Sequence, residues 1–128
     1  MSEYLIPKHS NSKPFATACA PDGVYFTLNN ANQVARITYA KPPTFTWWTV
    51  PTPATAPMGL AACDYANGVP ALLYIAESNA NKIGVMAVGG GSISEFLTGS
   101  LPNKVTCSMA DNRAYWSERG DDFIGAMQ

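Results

Sequence analysis

YIAESNANKIGVM, residues 74–86, is a pattern that the chain writes three times. YFTLNNANQVARI at 25–37 and YWSERGDDFIGAM at 115–127 repeat it, at spacings of 49 and 41 residues. Each copy has an aromatic or β-branched run, a polar tip and a second apolar run, which is the pattern of a β-hairpin. In register, Leu28, Glu77 and Glu118 close the first run, and Asn32, Asn81 and Asp122 open the second. Val34, Ile83 and Ile124 follow, then Ala35, Gly84 and Gly125. A self-similar unit of this length marks a repeat architecture.

Working outward, each hairpin has a small-residue strand before it and a further strand after it. Phe15–Cys19 precedes the first hairpin through the tight turn Pro-Asp-Gly at 21–23, and Thr44–Val50 follows it. Gly59–Cys63 and Ile93–Thr98 flank the second, and Lys104–Ser108 precedes the third, after which the sequence ends at Gln128. Four short antiparallel strands in about 45 residues make one blade of a β-propeller. The expected fold is therefore all-β, with blades near 14–51, 57–99 and 102–128 in one domain of 128 residues. The third unit has three strands where the others have four. Met1–Pro7, MSEYLIP, reads as a last strand with no blade before it, and matches Thr46–Pro51 and Ser94–Gly99. Three blades cannot close a ring. The expectation is a strand-exchanged homodimer, six blades in all, with residues 1–7 of each chain completing the third blade of the other.

Composition bounds the function. Apolar residues make up 47% and charged ones only 13%, about half the usual share. A net charge of −1 gives no electrostatic footprint for nucleic acid or an anionic membrane. No apolar run approaches a membrane span, and MSEYLIPKHS does not read as a secretory leader, so a cytoplasmic location is expected, with secretion left open. Cys19, Cys63 and Cys107 fall at matching places in the three units, Cys63 being off by one residue. They lack paired metal spacing and read as small buried residues on inner strands, with a catalytic or disulfide role as the alternative.

The sequence PDGVYFTLNNANQVARI at 21–37, with EYLIP at 3–7 and TVPTPATAP at 49–57, resembles the repeat of the virginiamycin B lyase (streptogramin lyase) family. The resemblance covers nearly the whole chain and implies a propeller. It also implies a site on the face where hairpin tips and inter-blade crossovers meet around the channel, holding Mg²⁺ and a histidine with glutamates. The positions matching the family's glutamate are Leu28, Glu77 and Glu118. Those matching its histidine, which follows the proline opening a blade, are Phe15, Met58 and Asn103.

The residues suggest chemistry beside that resemblance. His9 is the only histidine and lies in the crossover before the first blade, where a neighbouring carboxylate would make it a general acid or base. Glu77 and Glu118 are candidates for catalysis and for holding Mg²⁺, since carboxylates crowded in a channel bind a hard cation or raise one another's pKa. Asn32, Asn81, Asp122 and Arg119 sit at the tips as candidate ligand contacts, the asparagines and Asp122 doubling as turn formers. Arg36 and Lys82 read as surface cations. Trp47 and Trp48 are adjacent on a strand and point to opposite faces. The leading expectation is a small-molecule propeller, of lyase or isomerase type if an enzyme. A carbohydrate-binding propeller built on the blade aromatics and a scaffold without ligand are the alternatives.

Overall fold

The computed structural model describes the chain apart from residues 8–10, 66–67 and 69. Among the described residues, eleven strands form three antiparallel sheets in chain order. The first contains β1 (Pro14–Ala20), β2 (Gly23–Leu28), β3 (Gln33–Ile37) and β4 (Phe45–Thr49). The second contains β5 (Pro57–Cys63), β6 (Leu72–Glu77), β7 (Lys82–Ala87) and β8 (Ser94–Leu97). The third has β9 (Pro102–Ser108), β10 (Arg113–Glu118) and β11 (Ile124–Met127), three strands as the repeat count requires. A single 3-10 turn, Ser78–Ala80, is the one helical piece among the described residues, and no helix is long and apolar enough to cross a membrane.

The sheets stack face to face as propeller blades. Side chains alternate across each strand, so one hairpin contributes to two interfaces. Leu73 and Ile75 of β6 pack with Tyr25, Val34 and Val50 of the first unit, while Tyr74 and Ala76 pack with Ala114 and Trp116 of the third. Tyr25, Tyr74, Leu73, Ile75 and Ile83 are fully buried, and each such apolar side chain contributes about 1.5–3 kcal/mol by leaving water. The first strands of successive sheets are the innermost. β5 runs so close to β9 that a Cβ on Gly59 would lie 2.1 Å from the Asn103 carbonyl oxygen, which is why glycine stands there.

The two tryptophans divide as alternation predicts. Trp48 stacks on Tyr25 between the first two sheets (centroids 5.8 Å apart), and Trp47 stacks on Phe45 on the other side (6.3 Å). That other side is the outer face of the first sheet, where Phe26, Leu28 and Ala35 are buried under Ile6, Phe45 and Trp47.

Three expectations are corrected. Residues 1–7 carry no strand in the single chain, because no sheet edge is beside them to pair with; Ile6 instead packs on Phe26, Leu28 and Ala35. The cysteines are not three equivalent buried residues: Cys63 and Cys107 form a disulfide joining β5 to β9, and Cys19 is free and exposed. The one-residue offset of Cys63 is the reason, since it turns that side chain to the face opposite from Cys107, toward it across the interface. Arg36 and Lys82 are not plain surface cations. Arg36 binds Asp22 and lies 5.7 Å from the Trp48 ring, and Lys82 pairs with Glu95 at 2.9 Å.

Candidate functional site

Hairpin tips and crossovers do meet at one end of the molecule. The tip amides of Asn29 and Asn30 donate to the carbonyls of Lys13 and Ser12, that of Asn79 to Thr55, and those of Arg119 and Gly120 to Leu101 and Ser100. The innermost strands start at this end. Phe15 at the start of β1 is half exposed, and the Lys104 ammonium of β9 lies 5.2 Å from its ring centroid. Lys104 was not singled out in the sequence, because a lone lysine in a strand carries no motif.

Asn32 and Asn81 are braces. Both adopt left-handed backbone, φ 55° and 54°, which asparagine tolerates. Asn32 donates to the Val50 and Thr52 carbonyls (3.2 and 2.9 Å) and accepts from the Thr55 N–H and hydroxyl (2.9 and 2.6 Å). Asn81 accepts from the Leu101 N–H at 2.9 Å. These bonds tie each tip to the crossover after its blade. Replacing Asn32 by Ala strands the fully buried Thr55 donors and is expected to cost about 2–3 kcal/mol, read as a lower urea midpoint at unchanged slope.

The two glutamates occupy equivalent places but opposite environments. Glu77, at the end of β6, has no accessible surface and lies over Gly84, where a Cβ would come within 2.4 Å of its Oε1. Neither of its oxygens has a hydrogen-bond partner of good geometry. Burial, then repulsion from the neighbouring Glu95 carboxylate, push its pKa up to about 8, with Lys82 opposing. Near neutral pH Glu77 is protonated, and its hydroxyl can donate toward Glu95. Burial alone would raise Glu95 as well. Bonds from the Thr52 hydroxyl and N–H and from Lys82 outweigh it and hold Glu95 at about 2.

Glu118, at the end of β10, is 8% exposed. Its Oε1 accepts from the Thr98 hydroxyl (2.6 Å), the Trp116 indole N–H (2.9 Å) and the Gly99 N–H (3.2 Å). The Thr98 bond does most to hold its carboxyl below the usual range, against the effect of burial. Glu118 is therefore ionised, and Glu77 is not.

The remaining candidates scatter. Arg119 and Asp122 are exposed on the third tip. Asp121 beside them is occupied by the Ser100 N–H at 3.0 Å. His9 lies outside the described residues, although the crossover it belongs to returns at Ser12 and Lys13 to the first tip. No hydrogen bond joins Glu77 to Glu118 among the described residues, and none of them form a group of three or more His, Cys, Asp or Glu suited to a metal ion. The described residues do not fit Mg²⁺, because neither Glu77 nor Glu118 belongs to a group of three or more ligating side chains.

Across 99% of its length the chain superposes on virginiamycin B lyase from Staphylococcus aureus with a TM-score of 0.85 and 28% identity. The chain is similar to virginiamycin B lyase. It spans 41% of that lyase, one of whose structures is a catalytically inactive variant with quinupristin. A streptogramin B lyase structure matches with a TM-score of 0.58 at 19% identity, over 94% of this chain and 53% of that one. A hydrazine synthase from Kuenenia stuttgartiensis matches at 0.74 and 19%, over 98% and 36%. These last two share the fold alone. No family model and no curated protein matches the sequence. The likeness to the lyase covers all three hairpin tips and the crossovers between them, the part of the propeller described above.

Proposed function

We propose that this chain builds a propeller that binds a small organic molecule at the end where tips and crossovers meet, and cleaves it as a lyase does. The 28% identity to virginiamycin B lyase over 99% of the chain carries this reading. An elimination needs a base for the proton leaving carbon and an acid for the departing group. Glu118, an ionised carboxylate at the end of β10 beside the third tip, takes the role of base. His9, the single histidine of the sequence, is the candidate acid. Lys104, Phe15, Arg119 and Asp122 offer charge and ring surface to a ligand. Glu77 has no accessible surface and braces the interface between the first two sheets. No step is routed through a metal.

Quinupristin is the first compound to test, with binding by calorimetry and cleavage by mass spectrometry. Glu118→Gln is expected to reduce turnover by 10²-fold or more, about what a positioned proton-transfer group supplies, and Glu77→Gln to leave it within a few-fold. Absence of both binding and turnover would sink this substrate class, and sugar binding on a glycan array would favour the carbohydrate alternative.

The complete propeller is proposed to be a six-bladed homodimer, residues 1–7 of each chain supplying a fourth strand beside β11 of the other. Ile6 supports this. It rests on Phe26, Leu28 and Ala35, the register equivalents of Ile75, Glu77 and Gly84, and Ile75 is where Val50 of the preceding unit packs. Deleting residues 1–7 should therefore convert a dimer to monomer or aggregate on a sizing column. The Cys63–Cys107 bond favours an oxidising compartment over the cytoplasmic location expected from the sequence.

A further inference from the structure

We propose that the Lys104 ammonium, held beside the Phe15 ring, receives the negative charge that develops on a substrate carbonyl oxygen when the neighbouring carbon loses its proton. This rests on the lyase reading and deepens it: the substrate is then an ester or amide whose leaving group sits β to the carbonyl. The repeat shows how Lys104 stands apart. Pro14, Pro57 and Pro102 open the innermost strands, and the second residue after each is Ala16, Gly59 or Lys104. Two of these are small, and the third carries a charge on a flexible four-carbon stem. The Lys104 Cα lies 2.8 Å from where a Cβ on Gly59 would stand, yet its Nζ ends 5.2 Å from the ring of Phe15. Phe15 belongs to β1, and β5 lies between β1 and β9. The side chain therefore crosses in front of β5, and the bare Gly59 clears its path.

The charge at the end of that path is uncompensated. Among the described residues the ion pairs are Arg36 with Asp22 and Lys82 with Glu95, and Lys104 joins neither. Glu118 ends the neighbouring strand, opposite Pro102, and the Lys104 N–H donates to the Ser117 hydroxyl at 3.3 Å. Base and ammonium thus stand on adjacent strands without neutralising each other. Phe15 is half exposed, so a flat ligand can lie on its ring with an anionic oxygen on the nitrogen. The described residues do not fit Mg²⁺, and this ammonium supplies the stabilising charge in its place. In the step, the proton passes to Glu118 and the C–H electron pair becomes the C=C bond of an enolate. The carbonyl oxygen becomes an oxyanion hydrogen-bonded to Lys104, which keeps its own protons. The enolate then restores its carbonyl as a new C=C bond forms, and the leaving group departs with its bonding pair and takes a proton from His9. Nothing is oxidised or reduced overall.

Lys104→Met, which keeps most of the stem and removes the charge, is the test. With quinupristin, kcat is expected to fall by about 10²-fold with KM nearly unchanged, and Lys104→Arg to recover about tenfold of it. Benzoate, a ring bearing an anionic oxygen, gives a readout that needs no turnover. Its binding, followed by NMR titration, should saturate with the unaltered chain, weaken by about tenfold in Lys104→Met and weaken also in Phe15→Ala. Benzoate bound equally well by Lys104→Met, or not bound by the unaltered chain, would overturn the assignment. Turnover unchanged in Lys104→Met would overturn it as well. Benzoate binding that depends on Lys104, with quinupristin left intact, would sink the substrate class proposed above and leave the oxyanion site standing.

Discussion

Replacing Cys63 and Cys107 together by alanine is expected to lower the melting temperature by about 12–20 °C. The bond closes a loop of 44 residues, and the chain-entropy picture of a cross-link assigns roughly 4 kcal/mol to a loop of that size. For a domain of this length, each 1 kcal/mol moves the midpoint by about 3–5 °C. The location adds to the effect. The bond joins the two innermost strands β5 and β9, so its loss loosens the second sheet against the third at the part of the fold where backbones come closest. Cys19→Ala, which removes an exposed thiol, is the control and should leave the midpoint unchanged. Scanning calorimetry with and without reductant checks the result. A change below about 2 °C in the double variant would show that the interface holds without its cross-link.

Stability should fall as pH rises from about 5 to about 8, and Glu77→Gln should remove most of that slope. The folded-state pKa of Glu77 is raised to about 8, while an unfolded glutamate titrates near 4.5. Between those values the folded chain holds a proton that the unfolded chain has released, so unfolding gains with every rise in pH. The contribution is fully present below about 4.5 and is lost as pH climbs through 8. Glu95 acts in the opposite sense. Held at about 2 when folded, it contributes stability above the ordinary glutamate range that is lost as pH falls toward 2. Together they predict a broad stability maximum near pH 5, with an alkaline limb belonging to Glu77. The neutral amide introduced by Glu77→Gln keeps the shape of the protonated acid without its titration, so the variant should match the parent at pH 5 and exceed it at pH 9 by a few kcal/mol at most. Urea midpoints across pH 4–9 read both limbs, and an alkaline limb unchanged in the variant would assign the slope to another group.

Much of the fold was legible from three aligned hairpins, because strand alternation and turn chemistry are local. The small residue at 35, 84 and 125 was visible too, and its reason is now plain. Gly84 and Gly125 lie under Glu77 and Trp116, which a Cβ would strike. The displacement of Cys63 by one residue was equally visible in the register. Its consequence was not: one residue turns a side chain to the opposite face and so toward Cys107. The glutamates were found by position, but their character was not. Glu77 and Glu118 end equivalent strands, yet the loop after β8 places Thr98 and Gly99 on the Glu118 carboxylate, while β8 itself places a second carboxylate, Glu95, near Glu77.

Period, turn residues and unit length, all written along the chain, were enough for the three-sheet stack and for its missing fourth strand. Which carboxyl keeps its proton and which cysteines bond depended on partners 18 or more residues away along the chain. Burial, repulsion and hydrogen bonding act through space, and the chain brings those groups together only by folding.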